Sequence, residues 1–505
     1  AFWFDPDGGY RTWRKNDWPD GPDRWIKACK AHNLVPGLWF STNRIMKGLL
    51  HCIPEWENSL AANNHLCLFE GDYLNHLMET FQMYADKGVK LFKFDFAHFD
   101  AATEAAKDTY STEEIIQMNQ QAFLNAIKTF RRKNPDVIII AYNGFGGSMN
   151  ATTAPFSQTV DLRWRWLEIF DVMYCGDPRL SDVPMMNFWR SKDLYSDHMV
   201  FQWVYNGVPL SRIDNFGALL GTTGTCYNRG NTAWKGTVLL SLARSSWFTM
   251  YSGNLELLNN ADATWLARVQ QTYMQLQKYG YNTLWGETPG TGKPYGYRSE
   301  TIDGSILLTA CNPSHSFQEI DLGEQSAGRI LFHDKGFTPV IKGGKLILGP
   351  EQLTVVGFGG YNSSKYDWGV EDEVIIPQKS VLLTKEFQPV DTHSAKLRVT
   401  PPAKHHIQIF FQQCRKDGTP FRSSGGPPPN GLPMDRFLQI SAKQGGKEIP
   451  VKIEYDKKIW SGLSWAAGEI EARNMDFKQP LEITCTSKNG EAQYFKIEVY
   501  SVFYE

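Results

Sequence analysis

Long apolar runs are missing from this 505-residue chain. Crossing a bilayer takes about 20 consecutive apolar residues, so no membrane span is expected. Cysteine spacing of the metal-binding kind is missing as well. Cys29, Cys52, Cys67, Cys175, Cys226, Cys311, Cys414 and Cys485 form neither a Cys-x-x-Cys pair nor a Cys/His set, which argues against a zinc site, and no metal or other cofactor is expected. An excess of either charge is lacking too. With 52 basic and 54 acidic residues, net −2, the balance argues against a polyanion partner such as a nucleic acid. No repeat of fixed period occurs. Aromatic residues, by contrast, are plentiful, with 17 Trp, 21 Tyr and 30 Phe, densest in the first half. Exposed rings grip the apolar faces of sugars, although most aromatic residues are simply core. The length exceeds what one hydrophobic core supports, so two to four domains are expected. The chain opens directly in the strand-like Phe2-Trp3-Phe4-Asp5 with no initiator Met, and a signal or further domain is expected ahead of it.

From Phe2 to about Gly280, short apolar runs alternate with segments of helical period, the pattern of repeated βα units. A helix over 22–31 leads to a strand over 34–40, and His65–Phe69 reads as the third strand. Leu74, Leu77, Met78, Phe81 and Tyr84 mark a helix stopping at Lys87-Gly88. The run 89–96 is then the fourth strand, ending in Lys93-Phe94-Asp95. A long helix through Ile115, Phe123 and Phe130 closes in basic residues before Pro135. Strands five and six are read at 137–142 and 169–175, strand seven at Met199–Tyr205 and strand eight at Ser246–Tyr251, with a last helix carrying Trp265, Val269, Tyr273 and Leu276. Eight strands in this length suit a (β/α)8 barrel of the TIM type over residues 1–280.

After Gly280 helical periodicity gives way to short alternating runs separated by Gly, Pro, Asn and Asp. Residues 281–362 read as an antiparallel β-sandwich, Gly359–Ser364 as a linker, and 363–505 as a second all-β module of sandwich or jelly-roll type. The Ser423–Gly431 stretch reads as a surface loop. The C-terminal module either binds carbohydrate or braces the barrel.

In a barrel, the C-terminal strand ends converge whatever their separation in sequence. They would bring together Asp5 and Asp7, Trp39, Lys93 and Asp95, Asn143 with Gly144, Gly146 and Gly147, and Asp177 with Arg179. Two carboxylates, Asp95 and Asp177, without a metal cluster most simply suit glycoside hydrolysis, one attacking the anomeric carbon and the other serving as acid and base. Each residue also has a structural reading. Asp95 could cap a helix or pair with Lys93, Asp177 could form an Asx-Pro turn or pair with Arg179, leaving Asp182 as the substitute, and Asp5 and Asp7 could be turn formers. Asp171, inside a strand, reads as structural, and His98 and Asp100 extend past the fourth strand.

The order Phe4-Asp5-Pro6-Asp7-Gly8-Gly9, Gly37-Leu38-Trp39-Phe40, Lys93-Phe94-Asp95, a Gly146-Gly147 turn and Gly176-Asp177 resembles the retaining α-glycosidases of glycoside hydrolase families 27 and 36, with the more distant family 31, and is nearest to family 36. The resemblance spans roughly Phe2 to Leu258. It implies a barrel followed by a β-sandwich, Asp95 as nucleophile and Asp177 as acid/base. It further implies Lys93 on sugar hydroxyls, Asp5 and Asp7 holding O4 and O6 of a galactose-like sugar, and Trp39 as part of the sugar wall. Asn143, Gly146 and Arg179 would complete the substrate contacts. The family's adjacent Asp-Asp-Gly-Trp is here interrupted by Pro6, and the loops after strands five and six also depart from its pattern, so the sugar is left open. The function expected is a retaining exo-α-glycosidase, α-galactosidase-like, acting on an oligosaccharide or polysaccharide; the alternative is a carbohydrate-binding protein on the same scaffold without turnover. The appended β modules suggest a periplasmic or secreted bacterial setting.

Overall fold

In the computed structural model, residues 3–146, 162–176, 180–214, 218–220, 233–244, 249–253, 255–323, 327–423, 437–453 and 463–505 are described. Contacts divide the chain into one unit of Ala1–Gly147 with Val160–Tyr174 and another of Ser148–Thr159 with Cys175–Glu505.

The first unit begins with a hairpin of β1 (Phe4–Asp5) and β2 (Gly9–Trp13). There follow α1 (Pro22–Ala31), β3 (Gly37–Ser41), α2 (Tyr73–Lys87), β4 (Leu91–Asp95), α3 (Glu104–Thr109), α4 (Thr112–Lys133), β5 (Ile138–Ala141) and β6 (Val172–Tyr174). Strands β3, β4, β5 and β6 are neighbours in that order and all parallel, as the alternation of strand and helix predicts. The helix ends follow the sequence signals. Gly88 closes α2 at φ +103°, and Ser111 with Glu114 forms a reciprocal cap on α4, whose last turn is Arg131-Arg132-Lys133.

Strand β4 separates its faces cleanly. Phe92 and Phe94 are fully buried and pack on the helix side, Phe92 with its ring 5.2 Å from those of Phe81 and Phe130 and Phe94 5.0 Å from Phe81 and 5.2 Å from Phe123. Truncating such a ring costs about 3–5 kcal/mol. Period two therefore turns Lys93 and Asp95 to the opposite face, in register with Trp39 and Ser41 of β3 respectively.

Two strand expectations fail. His65–Phe69 makes only isolated bridges among the described residues, Arg44 to His65 and Leu60 to Leu66; Leu66, Cys67 and Leu68 are nonetheless buried. Met199–Tyr205 is the end of a helix, α5 (Phe188–Tyr205). That helix is buried on nearly every side, so its apolar run shows no period to separate it from a buried strand.

The second unit continues from α5 through β7 (Ile213–Asp214), β8 (Ala218–Leu220), α6 (Trp234–Arg244), β9 (Tyr251–Gly253) and α7 (Asn260–Tyr279). Strands β8 and β9 are parallel; residues 246–248 of the expected eighth strand lie outside the described residues. Helix α5 brings buried charge with it. Asp197 accepts from the Tyr295 and Tyr297 hydroxyls at 2.9 and 2.8 Å and faces Arg244 at 2.9 Å, while Arg190 reaches Asp334 at 3.3 Å and Asp193 at 3.5 Å. All these charges are paired, as burial requires.

A six-stranded sheet runs Gly280–Gly286, Tyr295–Thr301, Ile306–Cys311, Leu353–Phe358, Arg329–Gly336 and Gly369–Ile376, its last pair parallel. A three-stranded sheet packs its apolar face against it. Two five-stranded antiparallel sheets follow. One holds Lys379–Thr384, Lys496–Phe503, His406–Gln412, Trp465–Ile470 and Lys452–Ile453; the other centres on Ser394–Val399, Leu481–Ser487 and Leu438–Gln444. Their inner faces share one apolar core, the arrangement of a sandwich. Most of the Ser423–Gly431 loop lies outside the described residues.

Candidate active site

Asp95 ends β4 with 7% of its surface exposed, and its carboxylate is gripped from two sides. Oδ2 accepts the indole N–H of Trp39 at 3.1 Å. Oδ1 accepts the backbone N–H groups of Phe96 at 2.9 Å and Asn143 at 3.2 Å. Burial pushes the carboxyl above the usual carboxylate range, and the charge of Lys93, the indole and the two amides pull it back. The outcome is a desolvated carboxylate that carries its own donors.

Lys93 lies two residues back on the same face, with its ammonium 3.3 Å from the centre of the Tyr142 ring. Tyr142 in turn stacks on Tyr174 at 4.2 Å. A cation against a ring at this range contributes on the order of 1 kcal/mol and fixes the side chain's direction.

The turn after β4 is backbone-strained. Phe96 has φ +52°, a conformation that costs a bulky L-residue about 1 kcal/mol or more. That turn brings its amide back onto Asp95. Its ring is held by the edge of Trp39 at 6.1 Å and by the Arg44 guanidinium at 5.3 Å. On the neighbouring loop, Gly144 has φ +102°, and a Cβ there would lie 2.2 Å from the Ala97 carbonyl oxygen and 2.7 Å from its nitrogen. Only glycine permits that approach, in which the Ala97 N–H donates to the Asn143 carbonyl at 3.0 Å. Asn143 Oδ1 is buried with no hydrogen-bond partner among the described residues.

Two asparagines hold the surrounding loops. Asn43 accepts from the His98 N–H at 2.8 Å and donates to the carbonyls of Leu66 and His98 at 2.8 and 2.7 Å. Asn119, fully buried on α4, accepts from the Leu68 N–H at 2.7 Å and donates to the carbonyls of Phe99 and Ala101, both at 2.8 Å. The rings of His65 and His98 stack at 3.8 Å. Burial, His98 and Arg44 push His65 down to about 4, against a smaller opposing pull from Asp100, so the pair is neutral near pH 7. Phe96, Asn43, Arg44 and Asn119 escaped the sequence reading of the site. The one available signal was Asn119, a polar residue on an otherwise apolar helix face.

Asp5 and Asp7 are occupied locally. Asp5 Oδ1 accepts the Asp7 N–H at 2.9 Å, and Asp7 Oδ1 lies 2.7 Å from His51 Nδ1, whose Nε2 accepts the Gly48 N–H at 3.1 Å. The structure thus brings Trp39, Lys93, Asp95 and Asn143 together at the C-terminal edge of the parallel sheet. Gly146 has φ +115°. Asp177, Arg179 and Gly147 lie outside the described residues. Asp182 is 4% exposed, and its Oδ1 is taken up by Arg422 Nε and Ser464 Oγ, each at 3.0 Å. Asp171 accepts a two-pronged bond from Arg131 at 2.8 and 3.0 Å together with the Ile139 N–H at 2.7 Å, a structural role. Among the described residues no group of three or more His, Cys, Asp or Glu could hold a metal ion, and no helix is long and apolar enough to cross a membrane.

No family model matches the sequence, and no curated protein matches it. Among solved structures, the chain is similar to the galactosidase domain of an α-galactosidase-sucrose kinase, with 12% identity, TM-score 0.48 and coverage of 70% of this chain and 49% of that one. It is also similar to a family 27 β-L-arabinopyranosidase from Geobacillus stearothermophilus, with 14% identity, TM-score 0.42 and coverage of 70% and 81%. A family 36 α-galactosidase from the same organism, in complex with stachyose, gives 12% identity, TM-score 0.47 and coverage of 70% and 50%. The chain spans about half the length of the first and third of these. The neighbours are the same group of glycosidases that the strand-end motifs resemble. All three TM-scores are low, so the roles of the residues rest on this chain's own geometry.

Proposed function

We propose that the chain is a retaining exo-α-glycosidase, α-galactosidase-like, on a (β/α)8 barrel of residues 1–280 followed by two β modules, read from the sequence at 281–362 and 363–505, the sheet of the first taking in Gly369–Ile376 as well. The observation that carries the reading is the Asp95 carboxylate at a parallel strand end, desolvated yet supplied with three N–H donors. Groups at such ends are where barrel enzymes place their chemistry.

In the first step Asp95 Oδ2, the oxygen with a single N–H donor among the described residues, attacks the anomeric carbon. The glycosidic C–O bond breaks as Asp177 gives its proton to the leaving oxygen. In the second step water attacks the same carbon, Asp177 takes its proton, and the bond to Asp95 breaks. Such a pair requires carboxyl groups about 5–5.5 Å apart. Asp182, committed to Arg422 and Ser464, is the poorer acid/base. Lys93 and Asn143 Oδ1 are assigned to sugar hydroxyls and Trp39, whose N–H is committed to Asp95, to the wall of the sugar site, with Asp5, Asp7, Gly146 and Arg179 as further contacts.

Release of p-nitrophenol from the α-galactoside, α-glucoside and β-L-arabinopyranoside tests this. Asp95→Ala is expected to lower kcat by at least about 10³-fold, and full activity in that variant would end the proposal. A carbohydrate-binding protein without turnover is the second reading, favoured by the local engagement of Asp5 and Asp7. Calorimetric binding of these glycosides with release of none of them would select it.

A further inference from the structure

A cavity of about 500 Å³ lies within the second unit, outside the groups that the proposed hydrolysis uses. Its volume is that of small-molecule sites, about 300–1,000 Å³. One wall is the outer face of the C-terminal sandwich, where strand residues normally meet water. Here they are covered and joined. Gln408, 6% exposed, stands opposite Glu469 in the ladder and donates to Glu469 Oε2 at 3.1 Å and to the Tyr504 hydroxyl at 2.9 Å. The Tyr504 hydroxyl donates on to Glu469 at 3.2 Å, and His406 Nδ1 lies 3.1 Å from the other oxygen.

The facing wall is the start of α5. Glu351, 5% exposed, accepts the N–H groups of Met186 and Asn187 at 2.9 and 2.8 Å. Asn187 Oδ1 caps the helix by accepting the Arg190 N–H at 3.3 Å. Its Nδ2 amide is left buried with no hydrogen-bond partner among the described residues. Phe188, Trp189 and Tyr504 contribute rings to the lining.

Three chemistries compete for such a space. An apolar ligand would strand the Asn187 amide, at about 1–3 kcal/mol. An anion would meet Glu351, Glu373, Glu469 and Glu505 against the single ammonium of Lys452. An organic cation would find the two most enclosed carboxylates already engaged, Glu351 by two N–H groups and Glu469 by Gln408, Tyr504 and His406. A neutral polyol with an apolar face satisfies both the rings and the polar rim. We propose that this cavity is a binding site for a neutral saccharide unit, separate from the Asp95 site and independent of whether that site turns over.

Hydrogen–deuterium exchange on the full chain tests this with methyl α-D-galactoside, methyl α-D-glucoside and melibiose as probes and galacturonate as the anionic control. Peptides covering 185–189 and 404–410 are expected to gain protection with at least one neutral probe and none with galacturonate. Asn187→Ser keeps the helix cap but removes the amide, and should weaken that protection about tenfold or more with the melting temperature unchanged; Gln408→Leu should weaken it as well. No protection of these peptides by any neutral probe, equal protection by galacturonate, or undiminished protection in Asn187→Ser would overturn the proposal. Protection confined to residues 39–98 would overturn it while leaving the hydrolysis reading intact. Cavity protection in a chain without turnover would do the reverse.

Discussion

Replacing Trp39 by Phe removes one donor from a buried carboxylate and leaves most of the ring volume in place. The lost bond, 3.1 Å from indole N–H to Asp95 Oδ2, is charge-assisted and is worth about 1.5–3 kcal/mol to the ionised form. The Asp95 pKa should therefore rise further above its already raised position. The direction of the stability effect follows. Burial already sets the folded-state pKa of Asp95 above its unfolded value, so the folded chain holds the proton more tightly. Stability therefore falls as pH rises from the ordinary Asp value of about 3.9 to the folded value, and is level above it. Trp39→Phe extends that window upward and deepens the fall. Urea unfolding of the wild type, Trp39→Phe, Asp95→Asn and the double variant at pH 7 should give a coupling energy of about 1.5–3 kcal/mol, shrinking toward zero below the carboxylate range. The acid limb of kcat/KM should move to higher pH in the same variant. A coupling energy that is the same at both ends of the pH range would refute the assigned role of the indole N–H.

Gly144→Ala forces a Cβ to 2.2 Å from the Ala97 carbonyl at φ +102°, and should cost about 2–4 kcal/mol and reduce activity by displacing the Asn143 amide; a melting temperature equal to the wild type would contradict the close approach. Burial keeps His65 neutral, with a pKa near 4, while the unfolded residue protonates near about 6.5. Stability should thus be lost as pH falls through that interval, and His65→Gln should flatten the slope in a pH series of thermal melts. Arg190→Met would leave the carboxylates of Asp334 and Asp193 buried without their guanidinium, an expected loss of about 3–5 kcal/mol by urea unfolding. A loss under about 1 kcal/mol would mean that the network relaxes or takes up protons instead.

What the amino-acid order determined by itself was local. Gly88 ends α2, the basic turn ends α4, and the apolar run to Asp95 is a strand with charges on one face. The β-rich character after Gly280 was equally plain, because caps, turns and hydrophobic period act within a few residues of where they are written. Tertiary structure decided the rest. Met199–Tyr205 became helix because it is enclosed on nearly all sides, which erases the period that distinguishes helix from strand. His65–Phe69 failed to pair because its partners lay in the 43–44 and 60 segments rather than in a sheet. Phe96 took a left-handed turn that no glycine or asparagine announced; contacts from Trp39 and Arg44 hold it there. Asp95 was legible as a carboxylate at a strand end. That its charge is supported by an indole 56 positions away in sequence and an amide 48 away was not, because hydrogen bonds between loops follow from chain packing, which no local pattern encodes.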